Sequence, residues 1–180
     1  SFSPHEDITS ERLKALSQLG DLNRGLLILP VQTLAHRLPP REHLDGQRFI
    51  LNTGDQFDLH AERRRLETSG YHAVDTVREH GEFAVRGAIL DVFPMGSKQP
   101  LRVELFDTEI ESLRAFDPDT QRTITKVDSV TLLPAREIPL TETGIATFRQ
   151  NWHETFDGNP RDSSIYQDVS SGLAPPGVEY

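Results

Sequence analysis

The chain has 180 residues, 36% of them hydrophobic with nine Phe and one Trp, which suits one packed domain or one domain with pieces of another. Nineteen Lys and Arg against 28 Asp and Glu leave a formal charge of -9, which disfavours nucleic acid as the main partner, because a phosphate backbone attracts proteins through their cations. Cysteine is absent, so disulfides, thiolate metal sites and cysteine nucleophiles are excluded.

Ser3-Pro4-His5-Glu6 reads as a helix start, with serine capping, proline at the first helical position and Glu6 completing a capping box. Ile8, Leu13, Leu16 and Leu19 form the apolar stripe of that helix, and Gly20 stops it. The continuous apolar run 25–29 predicts a short buried strand, and Pro30 opens a short helix over 31–37 that Pro39-Pro40 ends. These are the pieces of an α/β layer that lacks the rest of its sheet. Phe49 to Asn52 then reads as a strand, and Asp58 caps a helix over 59–69 that stops at Gly70. Strand patterns follow over 82–93, 100–107, 109–116 and 124–133, broken by turns at Gly96-Ser97, Asp107-Thr108 and Pro118-Asp119. The short connections predict an α+β unit over 47–134, an antiparallel meander with a helix on one face. Beyond Pro134 helices are expected over 141–156, around Phe148, Trp152 and Phe156, and over 163–170, before a loop from Gly172 to Gly177.

The sequence is poor in catalytic motifs. It has neither a G-x-x-x-x-G-K-[ST] phosphate loop nor G-x-G-x-x-G, no H-E-x-x-H and no nucleophile elbow. Glu79-His80-Gly81-Glu82 is the densest ionisable cluster, and its ordinary reading is a solvated turn before a strand rather than a metal or acid–base site. No catalytic residue, cofactor or metal is therefore expected. The longest apolar run, Leu26-Leu27-Ile28-Leu29, is too short to span a bilayer, no signal peptide opens the chain, and a cytoplasmic monomer is expected. The start at Ser1 without methionine and the stop at Tyr180 read as those of a piece cut from a longer polypeptide.

The informative segment is Leu101-Arg102-Val103-Glu104-Leu105-Phe106. Strand alternation sends Leu101, Val103 and Leu105 to the core and Arg102, Glu104 and Phe106 to the opposite face. An aromatic beside a guanidinium and a carboxylate has the chemistry of a protein interface. The plainer alternative is that Phe106 covers a helix while Arg102 and Glu104 form a surface pair of little value. Arg86 precedes Gly87 in the run 83–91, where a glycine suggests a bulge that could turn Arg86 to the same side.

These residues carry a resemblance. His80 to Pro94, Arg102 to Asp107 and Glu109 to Leu113 are similar to the UvrA-interacting domain shared by UvrB and Mfd. Ser3 to Ile8, Leu29 to Leu34, Phe116-Asp117 and Thr120 to Thr123 resemble the transcription-repair coupling factors, the Mfd family, rather than UvrB. The resemblance covers essentially the whole chain. It implies a protein-recruitment fragment of a factor that removes stalled RNA polymerase and recruits UvrA to the lesion; a damage-recognition fragment of UvrB type is the alternative. It implies that ATP, magnesium, DNA and RNA polymerase are bound by other regions of the parent. It also implies that 47–134 is the UvrA-interacting domain, inserted between two segments, 1–46 and 135–180, of a UvrB-like first domain. By motif position Arg86, Arg102 and Phe106 correspond to the UvrA-contacting residues, and Glu104 to an acidic position of the UvrB motif. UvrB proteins commonly carry a second arginine two places before the position of Arg86, where this sequence has Ala84.

Overall fold

The computed structural model describes residues 5–35 and 38–175. In chain order the elements are helix α1 (Glu6–Asp21), a 3-10 turn (Val31–Ala35), α2 (Arg41–Gln47), β1 (Phe49–Asn52), α3 (Leu59–Thr68) and β2 (His72–Ala73). Strands β3 (Glu82–Arg86), β4 (Ile89–Val92), β5 (Leu101–Phe106), β6 (Glu109–Phe116), β7 (Thr123–Val127) and β8 (Ser129–Leu132) follow. Helix α4 (Glu142–Thr155), a 3-10 turn (Pro160–Asp162) and α5 (Ser164–Ser170) complete the order. The fold class is α+β. Among the described residues no helix is long and apolar enough to cross a membrane.

The chain divides into two compact units, one of residues 5–27 and 40–137, the other of 28–39 with the segment from 138 onward. In the first, six strands lie in the order β2-β3-β4-β5-β6-β7, antiparallel except for the short parallel pair β2–β3, while β1 and β8 form a separate ribbon. From β3 to β7 the sheet is a meander, because consecutive strands pair antiparallel, and two of its connections are two-residue turns. Arg86 pairs with Ile89, leaving Gly87-Ala88 as a two-residue turn whose first position has φ 61°, the pattern that glycine satisfies in a type II′ hairpin. Phe106 pairs with Glu109 around Asp107-Thr108 in the same way.

One face of the sheet is the core. Phe83, Leu90, Val92, Leu101, Val103, Leu113 and Ala115 are buried together with Leu66 of α3 and Leu13 of α1. Helix α3 starts where Asp58 accepts hydrogen bonds from the His60 and Ala61 amides, which hold its carboxyl below the ordinary range. Gly70, at φ 94°, ends it, and a Cβ there would lie 2.4 Å from Arg136. Buried Tyr71 donates to the Leu133 carbonyl at 2.8 Å and accepts from the Met95 amide, tying the chain after α3 to the segments after β4 and β8. Helix α1 is anchored to the same unit by Leu13, fully buried, by the Gly96 amide donating to Ser10 at 2.8 Å, and by the Arg12–Glu137 ion pair at 2.6 Å.

In the second unit α4 begins at Thr141, which accepts from the Gly144 amide, and packs against α5. Phe148, Trp152 and Tyr166 form its aromatic cluster, with centroids 5.4 to 5.8 Å apart.

Several expectations need correction. Residues 25–29 form no strand, and Leu26 and Ile28 are 94% and 90% exposed; an apolar run becomes a strand only where other strands complete its hydrogen bonds. The stretch 82–93 is two strands, because Gly87 makes a turn and not a bulge. The stretch 124–133 is also two strands, which serve different sheets. The stretch after Pro39 is expected to hold no helix before Phe49, yet Pro40 sits at the N-cap of α2, an unanticipated helix held by buried Leu44. The N-cap of α1 is His5, with its side chain accepting from the Asp7 amide; Ser3 and Pro4, like 36–37 and the loop beyond 175, lie outside the described residues.

The anchoring of α1 predicts a large cost for Leu13→Ala, about 2 to 5 kcal/mol. Leu26→Ala should stay within about 0.5 kcal/mol. Urea denaturation of both variants checks the contrast.

Candidate docking face

Sheet register brings the predicted residues together. Ala84 lies opposite Asp91, Asp91 opposite Arg102, and Arg102 opposite Arg114. One step along, Arg86 lies opposite Ile89, Ile89 opposite Glu104, and Glu104 opposite Ser112. Cross-strand partners share a face, so Arg86, Arg102 and Glu104 lie together on the side away from Leu90 and Val103. No bend at Gly87 is needed. Phe106 continues the alternation to the hairpin tip, where it is 75% exposed. It covers no helix.

Sequence reasoning missed the centre of this face. Asp91 is 1% exposed, and its carboxylate meets two arginines. Arg102 donates from Nε at 2.7 Å and from Nη2 at 2.9 Å, a bidentate fork, and Arg86 donates through Nη2. The Arg102 guanidinium also lies 4.9 Å from the ring centroid of buried Phe116. The Asp91 hydrogen bonds raise the Arg102 pKa further, against the opposing pull of partial burial. The available signal was an aspartate inside the apolar run Ala88 to Phe93: a carboxylate between two core positions must find a cation.

Glu104 does not bond Arg102. It accepts from the Ser112 hydroxyl and pairs with Arg114 at 3.4 Å. Next to this polar patch, Ala84 is buried with Val77, Phe93 and Phe116. The position where UvrB proteins commonly carry an arginine is therefore filled here by a small apolar cluster.

The acidic cluster near His80 is structural. Glu82 accepts from the Arg78 and Glu79 amides at 2.7 and 2.9 Å, closing the turn before β3. His80 bridges Asp7 of α1 and the Ser97 carbonyl, and its ring lies 4.0 Å from that of Phe93. Among the described residues no group of three or more His, Cys, Asp or Glu is placed to hold a metal.

The fold and this face define an α+β domain whose meander packs one side as core and presents on the other an arginine–aspartate triad beside an exposed aromatic. A family model described as the UvrB interaction domain matches residues 49–138, and the chain belongs to that family. It is 48% identical over all 180 residues to the transcription-repair-coupling factor of Escherichia coli. It is 47% identical to that of Haemophilus influenzae over the whole of this chain, and 33% identical to that of Bacillus subtilis over 73% of the chain. It spans 16%, 16% and 11% of these three relatives, respectively.

The triad generates a stability prediction. Arg102→Ala leaves buried Asp91 with Arg86 alone and should cost about 2 to 3 kcal/mol in chemical denaturation. Arg114→Ala, which breaks a half-exposed pair, should cost about 1 kcal/mol or less.

Proposed function

We propose that this chain is a non-catalytic recruitment module that docks the excision-repair protein UvrA, and so couples removal of stalled RNA polymerase to nucleotide excision repair. In this reading 47–134 is the UvrA-interacting domain, and 1–46 with 135–180 are segments of a UvrB-like first domain. DNA, RNA polymerase, ATP and magnesium engage other regions of a longer protein. The observation that carries the reading is the exposure of Phe106 at the hairpin tip next to the one that carries Arg86, on a face whose polar groups are already ordered. An apolar ring in water next to a held cation has the composition of an interface hot spot. The whole-length similarity to transcription-repair-coupling factors supports this reading over a UvrB-type damage-recognition fragment.

A titration against purified UvrA tests it. Arg86→Ala and Phe106→Ala should each weaken binding about tenfold or more, since truncating a buried anchor commonly costs about 2 kcal/mol. Arg64→Ala, on the exposed surface of α3, should stay within about twofold. Binding unchanged in both face variants, with the fold intact, would place the docking surface elsewhere. The non-catalytic half predicts no ATP hydrolysis above a buffer blank; a rate abolished by a point substitution in this chain would contradict it.

A further inference from the structure

We propose that Asp91 is the positioning residue of the docking face, and that it holds Arg86 with a free edge turned to receive the partner's acidic group. The inference rests on the docking reading above and adds which arginine touches the partner and what holds it in place.

The three arginines are not equivalent. Arg102 commits both Nε and Nη2 to Asp91, leans on Phe116, and keeps 18% of its side chain exposed. Arg114 is matched by Glu104, which also takes the Ser112 hydroxyl. Arg86 commits only Nη2 among the described residues and is 51% exposed. Asp91 is thus met by the Arg102 fork and Glu104 by Arg114, and Arg86 is the arginine of this face that keeps an uncommitted edge in water. A guanidinium has five N–H donors in a planar fork, so one anchored through Nη2 still offers Nε and Nη1 to a carboxylate. Anchoring matters because a free arginine loses side-chain entropy when it binds, whereas one already held by a buried carboxylate has lost much of it beforehand. Asp91 is fit for that task because it is buried and fixed from the other side by the Arg102 fork. The hairpin sets the distance: Arg86 and Phe106 lie at the adjacent tips of β3–β4 and β5–β6, so a single partner segment can meet the cation and the ring together.

The experiment measures association and dissociation rates of UvrA on the wild-type chain and on Asp91→Asn, Arg86→Ala, Arg86→Lys and Asp91→Asn/Arg86→Ala, with a melting curve for each. Asp91→Asn keeps the shape and removes the charge. It should speed dissociation about tenfold while association stays equal or rises, because a negative charge has left the surface that meets an acidic group. The double variant should bind within about twofold of Arg86→Ala alone, since the two residues act as a unit. Arg86→Lys should bind nearly as weakly as Arg86→Ala, because an ammonium has no fork with which to hold Asp91 and a partner at once. This variant carries the test if Asp91→Asn fails to fold. Wild-type dissociation in Asp91→Asn, multiplying losses in the double variant, or wild-type binding by Arg86→Lys would each overturn the positioning role. In those cases a loss in Arg86→Ala would leave the docking reading standing. Wild-type binding by Arg86→Ala would overturn both.

Discussion

A carboxylate in the middle of a sheet face must be compensated, and the far side of this protein is arranged around that need. Asp91 projects from β4 away from the core, has almost no access to water, and is reached from both neighbouring strands. Desolvating a carboxylate costs several kcal/mol, and only close, well-directed pairing offsets it. Arg102 supplies the pairing directly across the ladder, and Arg86 supplies it diagonally from the turn. Such a pair contributes little net stability compared with an apolar filling of the same volume. What it does supply is fixed geometry, two guanidinium groups held at defined positions on a surface.

The core face makes this possible. Leu90, Val92, Leu101 and Val103 are buried against α1 and α3, so the register of β4 on β5 cannot slip without turning the apolar set outward. The same register sets Asp91 opposite Arg102. Packing on one side therefore specifies charge pairing on the other. The hairpin loops matter for the same reason: Gly87 and Asp107, at φ 61° and 57°, allow two-residue connections that bring Arg86 and Phe106 to adjacent tips.

Much of this was legible in the sequence, where short-range rules decide. Asp58 and Gly70 bracket α3 because capping and left-handed termination are local chemistry. The alternation of Leu101 to Phe106 fixed the two faces of β5, and the resemblance pointed to Arg86, Arg102, Glu104 and Phe106. The parts that were not legible depend on pairing at a distance. Glycine suits both a bulge and a hairpin turn, and only the Arg86–Ile89 pairing separates them. The run Leu26 to Leu29 has strand composition but no partner strand, so hydrophobicity alone misassigned it. Glu104 was grouped with Arg102 because they share a strand face, yet its cation comes from Arg114 on the next strand. Asp91 lies within the motif His80 to Pro94, but a single acid in a strand shows its importance only once its neighbours are known.

The central claim is that the Asp91 face of the sheet, and not the helices, meets the partner. Hydrogen–deuterium exchange of this chain with and without saturating UvrA tests it most directly. The account predicts new protection centred on the two hairpin tips, Arg86 to Ile89 and Leu105 to Glu109, with α3 and α4 unchanged. Protection confined to α3, or to the α4–α5 pair, with exchange at both tips unaltered, would contradict it.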